Sequence, residues 1–128
     1  MTSRIACVAI DALDPPALAE FWKSALGWLV VDEGEAGVSL AAPGTMMPTL
    51  DILKVPEVKS VKNRLHLDLR ADGNSTAAEL DRLLQLGARR VDVGQGPDVT
   101  WVVLADPDGN EFCLLQRTVQ ELEASTSG

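Results

Sequence analysis

A single histidine, His66, sits in the run Arg64-Leu65-His66-Leu67-Asp68-Leu69-Arg70, where leucines alternate strictly with polar residues. On an extended chain, side chains two apart share a face and stand about 7 Å from one another. The pattern predicts a strand over residues 65–70 that turns Leu65, Leu67 and Leu69 to one side and His66, Asp68 and Arg70 to the other. An imidazole and a carboxylate on one face are the parts of a proton-transfer pair, with His66 and Asp68 as the candidate catalytic residues. The competing reading is an Asp68–Arg70 ion pair that only tethers the local backbone.

One imidazole per chain limits what else is possible. A two-histidine, one-carboxylate iron centre and HExxH zinc hydrolysis both need more. There is no GxSxG elbow, no GxxxxGK[ST] phosphate loop, and no tyrosine to act as a phenolic acid. Cys7 and Cys113 are expected to be reduced thiols rather than a bridge. Among the tryptophans, Trp22 is expected in the core, whereas Trp28 and Trp101 can each offer a flat apolar face to a ligand.

The chain has 128 residues, 46% of them apolar and 23% charged, enough to bury one core without staples. Its 11 basic and 19 acidic residues give a net charge of −8, which repels nucleic acid and anionic membranes and suits a neutral or cationic small-molecule ligand. No apolar run approaches the roughly 18 residues of a membrane span, and the first residues carry no secretory pattern, so a cytoplasmic protein is expected.

The elements that would position these residues repeat. A strand over residues 5–11 precedes Asp14-Pro15-Pro16, a capping carboxylate before prolines suited to a first helical turn. Leu18, Phe21, Trp22, Ala25 and Leu26 form a helical stripe that Gly27 ends. Strands over 29–33, 38–41 and 49–54 follow. The order then recurs: the strand at 65–70, a turn at Asp72-Gly73-Asn74, and a helix carrying Leu80, Leu83, Leu84 and Leu86. Thr76 and Glu79 form its capping box and Gly87 is its stop. Strands over 89–93, 99–105 and 111–117 complete it, the last two joined by Asp106-Pro107-Asp108-Gly109. A shift of 60 residues lays Leu26-Gly27 on Leu86-Gly87, Val31-Asp32 on Val91-Asp92, and Asp14 on Asn74. The expected fold is α+β: two βαβββ modules, about 1–60 and 61–118, with mixed sheets forming an open cleft. Together they make one domain over 1–118, followed by a polar C-terminal tail over 119–128.

The run Arg64 to Arg70, the segment Phe21-Trp22 to Leu26-Gly27-Trp28, and Ala105-Asp106-Pro107-Asp108-Gly109-Asn110-Glu111-Phe112 together resemble the glyoxalase, bleomycin-resistance and extradiol-dioxygenase group. This is the vicinal oxygen chelate superfamily, and the likeness is to its small glyoxalase-like domains, from Ile5 to about Gln116. The resemblance implies a homodimer and a cleft between modules. In metal-dependent members the ligands are histidines and glutamates on the first and last strands of each module. Matched by spacing, those positions fall on Cys7, His66 and Cys113, and on either Asp51 or Leu53, of which Asp51 is the one able to ligate.

Three of these four positions depart from the His/Glu pattern. Glyoxalase I isomerisation is disfavoured, and the single histidine disfavours ring-cleaving and fosfomycin-type thiol transfer chemistry. The principal expectation is therefore a small organic ligand bound without metal or other cofactor by Cys7, Asp11, His66, Asp68, Trp101 and Cys113, with lyase or isomerase turnover left open. The alternatives are sequestration of a bleomycin-type antibiotic, and a metal lyase or isomerase holding tetrahedral zinc with Cys7, Asp51, His66 and Cys113.

Overall fold

A computed structural model describes residues 1–91 and 101–126. The expected strand residues Asp92, Val93, Val99 and Thr100 lie outside them. The chain divides into two compact units at Lys59/Ser60.

In the first unit, β1 (Cys7–Ala12), α1 (Pro15–Leu26), β2 (Leu29–Gly34), β3 (Gly37–Ala41) and β4 (Thr49–Lys54) form a sheet of order β1-β4-β3-β2, with β1 and β4 parallel. Asp14 caps α1 by accepting from the Ala17 backbone N–H, the prolines follow it, and Gly27 closes the helix in the left-handed conformation. Leu18, Phe21 and Trp22 of α1 are buried with Leu40 of β3 and Leu50 and Ile52 of β4. The alternate residues Ser39, Thr49, Asp51 and Leu53 consequently face away from the helix.

The second unit repeats the plan with β5 (Leu67–Leu69), α2 (Thr76–Leu86), β6 (Arg89–Arg90), β7 (Trp101–Ala105) and β8 (Glu111–Leu115), in the order β5-β8-β7-β6, β5 and β8 being parallel. Leu83, Leu104, Phe112 and Leu114 form its core. The architecture is thus α+β, two βαβββ units with open mixed sheets.

Three local expectations need correction. Leu65 is 91% exposed rather than buried under α2, because β5 starts only at Leu67 and residues 64–66 lead into it irregularly. The cap of α2 is Ser75, not Thr76: Ser75 Oγ accepts from the Ala78 N–H, while Thr76 Oγ1 donates to the Gln116 carbonyl and Glu79 is held by Arg82 and Asn74. Residues 119–126, expected to be a polar tail, form a helix, α3 (Val119–Thr126). Thr118 and Glu121 make the reciprocal capping box there, each side chain accepting from the other's backbone N–H. Gln120 fastens the helix to Asp72 and Gly73.

Replacing Ser75 with Ala is expected to lower stability by about 1 kcal/mol in urea unfolding, the usual cost of a lost helix cap. Replacing Thr76 with Ala leaves that cap in place and tests the correction.

Candidate functional site

Sheet pairing in the second unit lines up the side chains that the sequence marks out. Across its parallel strands Asp68 is opposite Cys113, and across the antiparallel pair Cys113 is opposite Val103. One step along, Trp101 is opposite Leu115. Because Phe112 and Leu114 point into the core, Glu111, Cys113 and Leu115 share the other face of β8. There they border an open hollow of about 450 Å³, lined by Lys62, His66, Asp68, Trp101, Val103, Glu111, Cys113 and Leu115.

Its polar end is centred on Asp68. His66 Nδ1 lies 3.1 Å from Asp68 Oδ1, although the two residues stood about 7 Å apart on the expected strand. The approach is possible because His66 precedes β5 and is free of its pleat. With the hydrogen on Nδ1 the imidazole donates to the carboxylate and leaves Nε2 to accept from a ligand. Arg70 does not pair with Asp68; its guanidinium donates to the Arg117 carbonyl. The Cys113 thiol is pushed up from its ordinary 9.0 to about 11, first by burial, then by the charge of Asp68 and a hydrogen bond to it. Cys113 is accordingly a neutral thiol at physiological pH, not a nucleophile.

Trp101 supplies the apolar end and is 39% exposed, while Trp22 is buried and Trp28 half-buried. Glu111 accepts from the Asn63 N–H at 2.9 Å and so ties the segment carrying Lys62 and His66 to β8. The sequence reading passes over Lys62, Val103, Glu111 and Leu115 as ligand contacts. For Glu111 and Leu115 the signal was available in the alternation with Cys113, and for Val103 in its spacing from Trp101.

Cys7, Asp11 and Asp51 belong to the first unit. Asp51 and Leu53 share a face of β4, and it is Asp51 that meets Cys7. Burial pushes the Asp51 carboxyl up, but hydrogen bonds from Thr49, at 2.7 Å, and from Ser39 and Cys7 outweigh it and hold the group below its ordinary range. The Cys7 thiol is raised by its hydrogen bond to Asp51 and by that carboxylate's charge. Asp11 is exposed on β1, aligned with Leu53.

The superfamily resemblance implies a metal, and the donors allow the fit to be tested. Among the described residues, His66, Asp68 and Cys113 bring one ligand atom each to within 4.8 Å of one another. A nitrogen, an oxygen and a sulfur fit a tetrahedral, borderline-soft ion; they do not fit an octahedral ion that demands oxygen.

Set beside known proteins, this architecture is that of the glyoxalase, bleomycin-resistance and dioxygenase fold. The Glyoxalase-like domain family matches over residues 7–115, and the chain belongs to it. A glyoxalase-related enzyme from Fulvimarina pelagi is 20% identical with a TM-score of 0.64, covering 91% of this chain and 89% of its own. TnmS3, an antibiotic binding protein from Streptomyces sp. CB03234, is 22% identical with a TM-score of 0.61, covering 91% and 98%. The fosfomycin resistance protein FosX from Mesorhizobium loti is 14% identical with a TM-score of 0.66, covering 97% and 99%. At these identities the likeness establishes the fold. No curated protein matches the sequence.

Since the Cys113 thiol ionises at higher pH in the folded than in the unfolded chain, the native state keeps its proton as the pH rises from 9.0 towards about 11 while the unfolded state loses it. The stabilisation this gives is complete below 9.0 and lost through that window. Urea midpoints measured across it are expected to fall for the native chain and to fall less for Cys113→Val.

Proposed function

We propose that the protein binds a small organic molecule in the hollow of its second unit, an aromatic or otherwise flat ligand lying on Trp101 and Leu115 and directing a polar group towards His66 and Asp68. The observation that carries this is the hollow itself: apolar surface at one end, a coupled imidazole and carboxylate at the other, in a volume suited to a small ligand. If the ligand is turned over, His66 is the group to exchange its proton, with Asp68 fixing the imidazole's orientation. The lyase or isomerase reading rests on that pair alone. The reading includes a cytoplasmic homodimer, supported by Leu29, Val30 and Val31, which stay exposed on β2 at the edge of its sheet.

A second reading, sequestration of a cationic antibiotic, is favoured by the net charge of −8 and by two carboxylates, Asp68 and Glu111, on the hollow. The antibiotic binding protein TnmS3 shares the fold. Bleomycin affinity that falls steeply with added salt supports it; affinity for neutral aromatics that is indifferent to salt supports the first reading.

A thermal-shift screen of aromatic acids, aromatic amines and bleomycin tests both, because a ligand specific for the folded state raises Tm by mass action. For any hit, Trp101→Ala and His66→Ala are each expected to weaken binding about tenfold or more, near 1.4 kcal/mol, with little change in the unliganded Tm. Unaltered binding in both variants places the ligand elsewhere and defeats the proposal.

A further inference from the structure

We propose that Lys62 determines the specificity of the hollow and that the ligand it selects is a dipolar aromatic of the α-amino acid class. The ring would lie on Trp101, the ammonium against Asp68 and the carboxylate against Lys62. This rests on the organic-ligand reading of the hollow and narrows it. Lys62 is not among the positions that the superfamily pattern marks.

Register lays three levels along this face of the second unit. Trp101 and Leu115 form the first, Asp68, Cys113 and Val103 the second, and Glu111, opposite Ala105, the third. Successive levels are two residues apart along a strand, about 7 Å. Lys62 comes in from the third level, because the backbone N–H of its neighbour Asn63 is fastened to the Glu111 carboxylate at 2.9 Å. Its charge reaches the second level, where it acts on the Cys113 thiol against the charge of Asp68. An apolar platform, an anion and a cation therefore serve one hollow. In an aromatic α-amino acid both charged groups leave the same carbon, a short stem away from the ring. A ring at the first level thus brings both charges towards the second, where Asp68 and Lys62 act together.

The balance of charge decides between ligand types. An ammonium has three N–H donors. That of Lys62 donates to the Asn63 carbonyl at 3.2 Å and, among the described residues, is paired with no carboxylate. A purely cationic ligand gains from Asp68 but is repelled by Lys62. A purely anionic one gains from Lys62 but meets Asp68, Glu111 and a chain of net charge −8. A dipolar ligand is neutral as a whole and makes a charge-assisted hydrogen bond at each end, stronger than any a neutral molecule forms there.

The test uses the full chain under reducing conditions with L-phenylalanine, phenethylamine, which lacks the carboxylate, and phenylpropionate, which lacks the ammonium. Calorimetric titration is expected to show L-phenylalanine bound about tenfold more tightly than either, the worth of a hydrogen bond to a charged group. Added salt should narrow the difference. Lys62→Met is expected to abolish the advantage over phenethylamine, Lys62→Arg to keep it and Lys62→Glu to reverse it. Because Lys62 is exposed, all three variants should retain the unliganded Tm. Equal binding of the three probes, each weakened by Trp101→Ala, would overturn the amino acid class and leave the hollow reading standing. An advantage that survives in Lys62→Met would do the same. Failure of every probe to bind also overturns the proposal, and the hollow reading falls with it only if the thermal-shift screen yields no ligand that depends on Trp101.

Discussion

Parallel pairing between the first and last strands of each unit is the constraint from which the rest follows. Parallel neighbours cannot be joined by a hairpin, so the chain must leave the sheet and return, and a helix is the usual way to do it. In both units the helix comes directly after the first strand, and two further strands bring the chain back beside it. One sheet face is thereby spent on covering the helix. The other is free to carry polar side chains at every second position, and in the second unit Asp68 and Cys113 become direct neighbours across strands distant in sequence.

The same parallel pair carries a thiol and a carboxylate in both units, in opposite order. Cys7 is on the first strand and Asp51 on the last; Asp68 is on the first and Cys113 on the last. In each case the carboxylate accepts from the thiol and keeps it protonated. Their surroundings differ. Asp51 also receives the hydroxyls of Thr49 and Ser39, local donors that hold its charge. Asp68 receives His66, a group that can switch tautomer and charge, and it borders a hollow. One pair is held by further hydroxyl donors of its own unit, and the other borders the hollow.

How far the sequence revealed this depends on the range over which each signal acts. Asp14 with two prolines, Gly27 and the leucine stripe of α2 act within one turn of helix, and each element stands where these residues require. The strand at His66 misled because alternation reports faces but not where pairing ends. β8 has only five residues, Glu111–Leu115, and β5 can pair with just three of them. Leu65 therefore has no sheet beneath it, however well it fits the pattern. Thr76 misled for a related reason: its hydroxyl is claimed by Gln116, forty residues away, a contact invisible to local reading. The tail became a helix through Thr118 and Glu121, a legible signal, and through Gln120 on Asp72, an illegible one. His66 and Cys113, marked out by residue type and by the family resemblance, both border the hollow of the second unit. That they share Asp68 could not be read, since it depends on register.

Register also separates the two ends of the hollow. Trp101 and Leu115 form one cross-strand level, and Val103 and Cys113, with Asp68 beyond, form the next. These levels are two residues apart along each strand, about 7 Å, close to the width of one aromatic ring. An apolar body can therefore occupy the Trp101 level without touching the hydrogen bonds at Asp68. Whatever occupies the Asp68 level must instead replace what that carboxylate already holds, a thiol proton and an imidazole. A neutral donor would exchange one hydrogen bond for another with little net gain, since intramolecular bonds and their replacements nearly balance. Charge changes that balance, because a cation or a cationic group gains from the ionised carboxylate what a neutral donor cannot. On the proposed reading, a flat apolar body would lie at the Trp101 level, and a cationic group, if the ligand carries one, would lie at the Asp68 level.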